Sequence, residues 1–216
     1  MGRKLRPMSL HPIKERLIRT LILAAIGICI GAIIAGYGML SSDKKQTPTI
    51  LNVAGVGGPW VLIDQNGKTR SDQDFKDKYK LIYFGFTYCP AICPTELQKT
   101  AEAYNELSKR LQDQIQMIFV TIDPERDTQS VMKNYVAMFH PDLIGLTGTK
   151  EQIDTIKREY KVYGAKVPEG DTYTMDHSSY IYFMSPQDEL IALYKTEQTA
   201  EEMEESIRAY LKKNPA

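Results

Sequence analysis

The chain has 216 residues, enough for one domain of ordinary size with a short appendage. Its 27 basic and 27 acidic side chains cancel to a formal net charge of zero, so no overall field favours a nucleic acid as partner. The 3 cysteines, at positions 29, 89 and 93, are too few for a disulfide-based scaffold. The sequence contains no glycine-rich nucleotide-binding loop and no internal repeat.

The N-terminal segment has the pattern of a membrane anchor. Residues 1–19 form a basic tail, and residues 20–41 carry no charge over about the 20 residues that a membrane-spanning helix needs. Because the basic excess precedes this run, the tail is expected in the cytoplasm and the rest of the chain across the membrane. A cleaved signal peptide is the alternative, but the run exceeds a usual signal core and no small-x-small cleavage site follows it. We therefore predict a transmembrane helix over 20–41 and a tether over 42–58.

Residues 59–216 are predicted to form a thioredoxin-like α/β domain that starts with a β-hairpin. A strand over 60–64 meets an Asn66-Gly67 pair, which is a strong hairpin signal, and an apolar run over 81–88 is typical of a buried central strand. The later predicted elements are helices over 95–111, 128–140, 150–160 and 199–211, strands over 115–122, 143–146, 179–183 and 190–194, and an extended segment over 163–167.

Two cysteines follow the central strand directly, in Cys89-Pro90-Ala91-Ile92-Cys93-Pro94. Proline suits the first position of a helix and disfavours a helical conformation in the residue before it. The pattern predicts that Cys89 lies in an extended loop and that Cys93 is the junction residue before a helix opened by Pro94. A thiolate at the positive end of that helix dipole is favoured, so we expect a lowered thiol pKa there.

Three separate pieces of sequence are expected to meet at one edge of the sheet. Cys89 follows the 81–88 strand, Asp123 follows the 115–122 strand, and His177 precedes a strand that we expect to be antiparallel. Asp123 and Asp176 are candidate acceptors that would orient the imidazole, or else loop-capping residues. The sequence therefore predicts a cluster of Cys89, Cys93 and His177.

Two thiolates and one imidazole are a soft ligand set of low coordination number, which suits monovalent copper and tolerates divalent copper. Zinc accepts the same atoms, but a structural zinc site normally has four protein ligands. His11 and His140 are expected to be solvated bystanders, and Met175 is assigned to packing rather than to the ligand set.

The segments TYCPAICPTEL (87–97), VTIDPERDT (120–128) and MDHSSYIYF (175–183), behind one apolar N-terminal segment, resemble the Sco/SenC family. The resemblance covers about residues 50–213 and implies a thioredoxin-like fold that binds copper through Cys89, Cys93 and His177, with Asp123 in support. It also implies a role in maturing the dinuclear copper centre of cytochrome c oxidase subunit II. Another copper chaperone is a further candidate partner. The expected location is the bacterial inner membrane, with the domain in the periplasm, and the alternative is the mitochondrial inner membrane.

Two other functions fit parts of the pattern. The same thiols could reduce the cysteines of the oxidase subunit, as a thiol-disulfide oxidoreductase would. Against this, the spacing is Cys-x-x-x-Cys rather than Cys-x-x-Cys, and His177 has no role in simple exchange. The segment 92–96 also resembles the peroxidatic cysteine segment of peroxiredoxins, but the position that a threonine or serine occupies in that family is Pro90 here.

Overall fold

A computed structural model describes residues 11–41 and 55–214, which fall into two compact units, residues 1–45 and 46–216. The first unit contains helix α1 (His11–Ser41), which covers the predicted 20–41 helix but begins earlier, inside the predicted basic tail. Within the described residues, no helix combines the length and the apolar character that crossing a bilayer requires. The tail over 1–10 and most of the predicted tether, 42–54, lie outside the described residues.

The second unit is built on a mixed sheet. Its seven strands lie in the order β2-β1-β5-β4-β3-β8-β9. Their bounds are β1 (Val61–Asp64), β2 (Thr69–Ser71), β3 (Tyr79–Gly85), β4 (Ile115–Thr121), β5 (Leu143–Thr147), β8 (Ile181–Met184) and β9 (Leu190–Tyr194). A separate two-stranded sheet consists of β6 (Gly164–Glu169) and β7 (Thr172–His177).

Within residues 55–214, one 3-10 turn and four helices lie between the strands, and a fifth helix follows the last strand. They are the 3-10 turn Asp72–Phe75, α2 (Ile92–Glu106), α3 (Lys109–Gln112), α4 (Gln129–Val136), α5 (Lys150–Glu159) and α6 (Ala200–Lys213). Threonine caps the start of α4, α5 and α6, and its side chain accepts a backbone N–H in the first turn of each. The predicted 95–111 helix is in fact two helices, because the chain is extended at Leu107.

The central strand β3 is buried along its whole length, as its apolar sequence predicts. It pairs in parallel with β4, with Gly85 opposite Thr121, and antiparallel with β8. The carboxyl ends of β3 and β4 therefore lie at the same edge of the sheet. The predicted N-terminal hairpin is confirmed, with Gly67 at a φ of 82° in the turn and β1 antiparallel to β2.

The β6–β7 hairpin differs from the prediction, which had an extended segment over 163–167 and no strand between that segment and residue 179. The strands pair antiparallel from Gly164 opposite His177 to Glu169 opposite Thr172. His177 is consequently the last residue of a strand rather than a loop residue ahead of β8. This hairpin determines where the imidazole lies.

Candidate metal centre

Helix α2 starts two residues earlier than its prolines suggest, and this assigns different positions to the two thiols. Its N-cap is Ala91, so Cys93 and Pro94 lie inside the first turn, where the missing N–H of proline removes no helical hydrogen bond. The Cys93 N–H donates to Sγ of Cys89 at 3.3 Å. The prediction that Cys93 is the junction residue is wrong, because Ala91 is the N-cap and the Cys89 sulfur accepts an N–H of the first turn.

Cys93 is fully buried, at 0% exposure. The hydroxyl of Tyr83, on β3, donates to its Sγ at 3.6 Å. Cys89 is half-buried, and neither cysteine forms a disulfide. A buried thiol in the first turn of α2 and a partly exposed thiol in the loop before it therefore lie four positions apart in the sequence.

His177 is held by one hydrogen bond and two rings. Its Nδ1 lies 2.9 Å from the carbonyl oxygen of Ser178, which favours the tautomer with the proton on Nδ1. The rings of Tyr83 and Phe86 meet the imidazole edge-on, with centroids 6.3 Å and 5.8 Å away. In that tautomer Nε2 carries a lone pair rather than a proton, and it lies 3.6 Å from Sγ of Cys93.

The two thiols are shifted in opposite directions. The pKa of Cys89 is lowered to about 3, chiefly by a hydrogen bond from the Cys93 side chain, with further contributions from the N–H groups of Cys93 and Ala91. The pKa of Cys93 is raised, first by the Cys89 thiolate and then by burial. The predicted low-pKa thiol therefore exists, but it is Cys89, and the side chain of Cys89 interacts with that of Cys93.

Asp127 was missed by the sequence reasoning, although it lies in the same segment as Asp123. It is fully buried and accepts hydrogen bonds from the N–H of Thr87 at 3.0 Å and from the hydroxyls of Thr87 and Thr121 at 2.5 and 2.6 Å. Burial raises the pKa of this carboxyl against those bonds. Asp127 thus fixes the loop that carries Cys89. Its sequence signal is weak, because it is one of several charged residues in the segment that follows β4.

Asp123 has a different task from the one expected of it. Its carboxylate accepts from the hydroxyl of Tyr173 at 2.9 Å and pairs with Arg126 rather than with His177. The Arg126 guanidinium lies over the rings of Tyr173 and Tyr88, at 3.9 and 4.8 Å from their centroids. Asp123 therefore supports the cysteine loop indirectly, through the stacking of Arg126 on Tyr88.

The other residues considered from the sequence lie outside this group. Asp176 is exposed, and the bond that orients the imidazole goes to Ser178 instead. His140 contacts Asn105 through Nε2 at 3.1 Å and packs edge-on against Tyr104. Met175 belongs to the hydrophobic core, as expected.

The separation of Cys93 Sγ and His177 Nε2 fits two ligands of one metal ion. Metal–sulfur bonds of about 2.3 Å and metal–nitrogen bonds of about 2.0 Å subtend about 110° across such a distance. Among the described residues, however, no group of three His, Cys, Asp or Glu side chains has the arrangement of a preformed metal site. Cys93 and His177 are already placed to share one metal ion, and the Cys89 side chain must move to complete the set of three ligands.

The model of the SCO1/SenC family matches residues 49–212. The chain belongs to the SCO1/SenC family. Among its relatives are the mitochondrial SCO2 homolog of Bos taurus, 38% identical over 89% of this chain and 75% of that one, and the SCO2-like protein RC0895 of Rickettsia conorii, 37% identical over 91% and 98%.

Solved structures of the family share the fold of the second unit. The copper-bound ScoI of Arabidopsis thaliana superposes with a TM-score of 0.70 at 37% identity, over 73% of this chain and 99% of that one. BsSco, described as a member of the Sco family of cytochrome c oxidase assembly proteins and as containing a disulfide switch, superposes with a TM-score of 0.58 at 25% identity, over 76% and 96%. The predicted thioredoxin-like α/β domain is thereby confirmed.

Proposed function

We propose that this protein binds one copper ion through Cys89, Cys93 and His177 and delivers it to cytochrome c oxidase during assembly. The observation that carries the proposal is the 3.6 Å approach of the Cys93 sulfur to Nε2 of His177. The softness of two sulfurs and one imidazole favours copper over harder metals. A site of three protein ligands stays open to an incoming ligand from a partner, which suits delivery rather than storage. The copper-bound relatives support the same choice of metal.

An anaerobic copper titration tests the binding step. The protein is expected to bind one equivalent of cuprous copper with sulfur and imidazole ligation, read by X-ray absorption, and Cys89→Ala and Cys93→Ala are each expected to lose tight binding. His140→Ala serves as a matched control, because this imidazole bonds to Asn105 away from the thiols. Wild-type affinity in either cysteine variant would refute the ligand assignment.

The proposed acceptor is the dinuclear copper centre of oxidase subunit II. The support is the family resemblance and the description of BsSco as belonging to a family of oxidase assembly proteins. Mixing the copper-loaded protein with the reduced, metal-free soluble domain of subunit II is expected to transfer copper within minutes. Equal transfer from free copper at the same concentration would remove the case for a delivery role.

Thiol-disulfide exchange is the second candidate function. The supporting observation is the pairing of a low-pKa, half-exposed Cys89 with a buried Cys93, as attacking and resolving thiols require. Reduction of an oxidised subunit II by the metal-free protein, with both cysteines required and His177 dispensable, would favour this function. Loss of maturation in His177→Ala would favour copper delivery.

We propose further that α1 anchors the domain in a bacterial inner membrane, with the domain in the periplasm. The support is the uncharged run over 20–41, the basic residues before it, and the exposure of every large apolar side chain between residues 18 and 34. Resistance of the protein to alkaline extraction from membranes, lost when Ile26→Lys and Ile30→Lys are combined, would support the anchor. Extraction of the unaltered chain by alkali would overturn it.

A further inference from the structure

Gly85, the last residue of β3, lies directly beneath the buried thiol of Cys93. A Cβ atom built on Gly85 would lie 2.8 Å from Sγ of Cys93, 3.0 Å from a ring carbon of Tyr83 and 3.1 Å from a ring carbon of Phe119. Real Cβ contacts below 3.0 Å essentially do not occur. The sulfur therefore occupies the space that a side chain at position 85 would fill.

The backbone does not explain why position 85 is a glycine. Its φ lies outside the left-handed range, so other residues could adopt the same conformation. The requirement is one of space alone. Of the three neighbours, Tyr83 and Phe119 are fixed rings at 1% and 0% exposure, whereas the Cys93 sulfur turns about a single bond. A side chain at position 85 would thus displace the sulfur first.

We propose that Gly85 is a positioning residue for the metal centre. Because Gly85 has no side chain, a space remains between it and the rings of Tyr83 and Phe119, which we call the seat, and this space holds Sγ of Cys93 within reach of Nε2 of His177. The seat is closed on one side by the Tyr83 hydroxyl, which donates to the sulfur. Displacing the sulfur breaks that bond and changes the 3.6 Å separation on which shared ligation depends. The link to copper rests on the proposed function, but the seat itself does not.

The test uses the full chain with Cys29→Ala and Cys89→Ala, so that Cys93 is the one remaining thiol. The rate of its reaction with 5,5′-dithiobis(2-nitrobenzoate) is expected to rise severalfold in Gly85→Ala. The control is Gly145→Ala, where a Cβ would meet Val136 at 2.7 Å and Met132 at 3.2 Å and so strains the same core without touching the thiol. An equal rise in both variants, or none in Gly85→Ala, would overturn the proposal.

A double-mutant cycle on the melting temperature tests whether the strain at position 85 comes from the Cys93 sulfur or from general packing. It still gives an answer if Gly85→Ala fails to fold, because the comparison is then whether Cys93→Ala restores folding. Gly85→Ala is expected to lower Tm sharply with Cys93 present and much less in Cys93→Ala, where the nearest obstructing atom is gone. An equal loss in both backgrounds, or failure of both to fold, would mean that the sulfur is not the obstacle. In the chain that keeps both cysteines, Gly85→Ala is also expected to weaken copper binding by about tenfold or more.

These readouts keep the two proposals apart. If the unaltered protein binds no copper, the proposed function fails, while the thiol reactivity and the Tm cycle still decide the role of Gly85. If the protein binds copper and Gly85→Ala binds it equally well, the seat has no role in ligation and the proposal for Gly85 fails alone.

Discussion

The imidazole of His177 and the thiol of Cys93 lie 3.6 Å apart, although 84 positions separate them in the sequence. Cys93 reaches this point from the first turn of α2, and His177 reaches it from the end of β7. Neither residue has a conformation that changes freely, since Cys93 is buried and the His177 ring is tied to Ser178. The pair is therefore pre-organised, and Cys89, the half-buried member of the proposed ligand set, lies in the loop ahead of α2.

Replacing His177 should distinguish metal binding from thiol chemistry. His177→Ala removes one of three proposed ligands, so the affinity for cuprous copper is expected to fall by more than the 10- to 100-fold typical of lost supporting residues. Competition with a chromophoric cuprous chelator measures the change. His140→Ala is expected to match the wild-type protein. Full copper affinity in His177→Ala would contradict the assignment and strengthen the redox alternative.

The two thiols should differ in their reaction with iodoacetamide. Because the pKa of Cys89 is about 3, Cys89 is already a thiolate at pH 5, and its alkylation rate is expected to stay flat from pH 5 to 8. An ordinary thiol with a pKa of about 8.5 would instead gain roughly tenfold per pH unit over this range. Mass spectrometry of the metal-free, reduced protein identifies the modified residue at each pH.

Cys93→Ala provides the matched variant for this measurement. It removes the largest cause of the lowered Cys89 pKa, so the rate profile of Cys89 is expected to shift to higher pH. Faster labelling of Cys93 than of Cys89 at pH 6 would contradict the assignment of the two roles.

The central strands were predictable because burial on both faces produces continuous apolar runs, which 81–88 and 115–122 display. The β6–β7 hairpin was not predicted, since β6 is exposed along most of its length and so lacks a one-sided apolar pattern. The sequence could place His177 near the correct edge. It could not show that a hairpin carries His177 there, because an exposed strand has no apolar pattern from which its pairing partner could be predicted.

The start of α2 was misplaced for a related reason. A proline is compatible with any position in the first turn, because none of those N–H groups has a helical partner. Pro94 therefore shows which turn begins the helix but not which residue does. The predicted start was two positions too late, so the low pKa was expected for Cys93 instead of Cys89. Only the hydrogen bond from the Cys93 N–H to the Cys89 sulfur identifies the thiol at the helix start.

Removing the Asp127 carboxylate should loosen the loop that carries Cys89. Asp127→Ala leaves the Thr87 N–H and two threonine hydroxyls without their buried acceptor, at a cost of about 1–3 kcal/mol for each group that finds no substitute. Urea unfolding of the metal-free protein measures the loss, and copper affinity is expected to fall as well. Asp127→Asn keeps one acceptor oxygen and should cost less.

The same residue should give the stability a defined pH dependence. Because the pKa of Asp127 is raised in the folded state, folding favours its protonated form. Its contribution is complete below the ordinary value of about 3.9 and is lost as pH rises through the folded pKa. The free energy of unfolding of the wild-type protein, minus that of Asp127→Asn, should therefore decrease as the pH rises above about 4. A difference that increases over this range would mean that the pKa is lowered instead.

The ion pair between the buried Lys80 and the partly exposed Asp188 should support stability without affecting the metal centre. Lys80 is 1% exposed, and its Nζ lies 2.8 Å from the Asp188 carboxylate, which also accepts from the hydroxyl of Tyr160. Asp188 has a φ of 66°, a conformation that asparagine tolerates. Asp188→Asn therefore removes the charge with little backbone strain and leaves a buried ammonium group unpaired, at a cost of about 3 kcal/mol.

Urea unfolding of three variants checks this expectation. Adding Lys80→Met to Asp188→Asn should restore much of the lost stability, because no buried charge then remains, whereas Lys109→Met in an exposed helical pair should have no measurable effect. Lys80 and Gly85 lie near opposite ends of β3, about 16 Å apart at 3.3 Å per residue, so copper affinity should be unchanged in every variant that folds. If the double variant were no more stable than Asp188→Asn alone, the unpaired charge would not be the source of the loss.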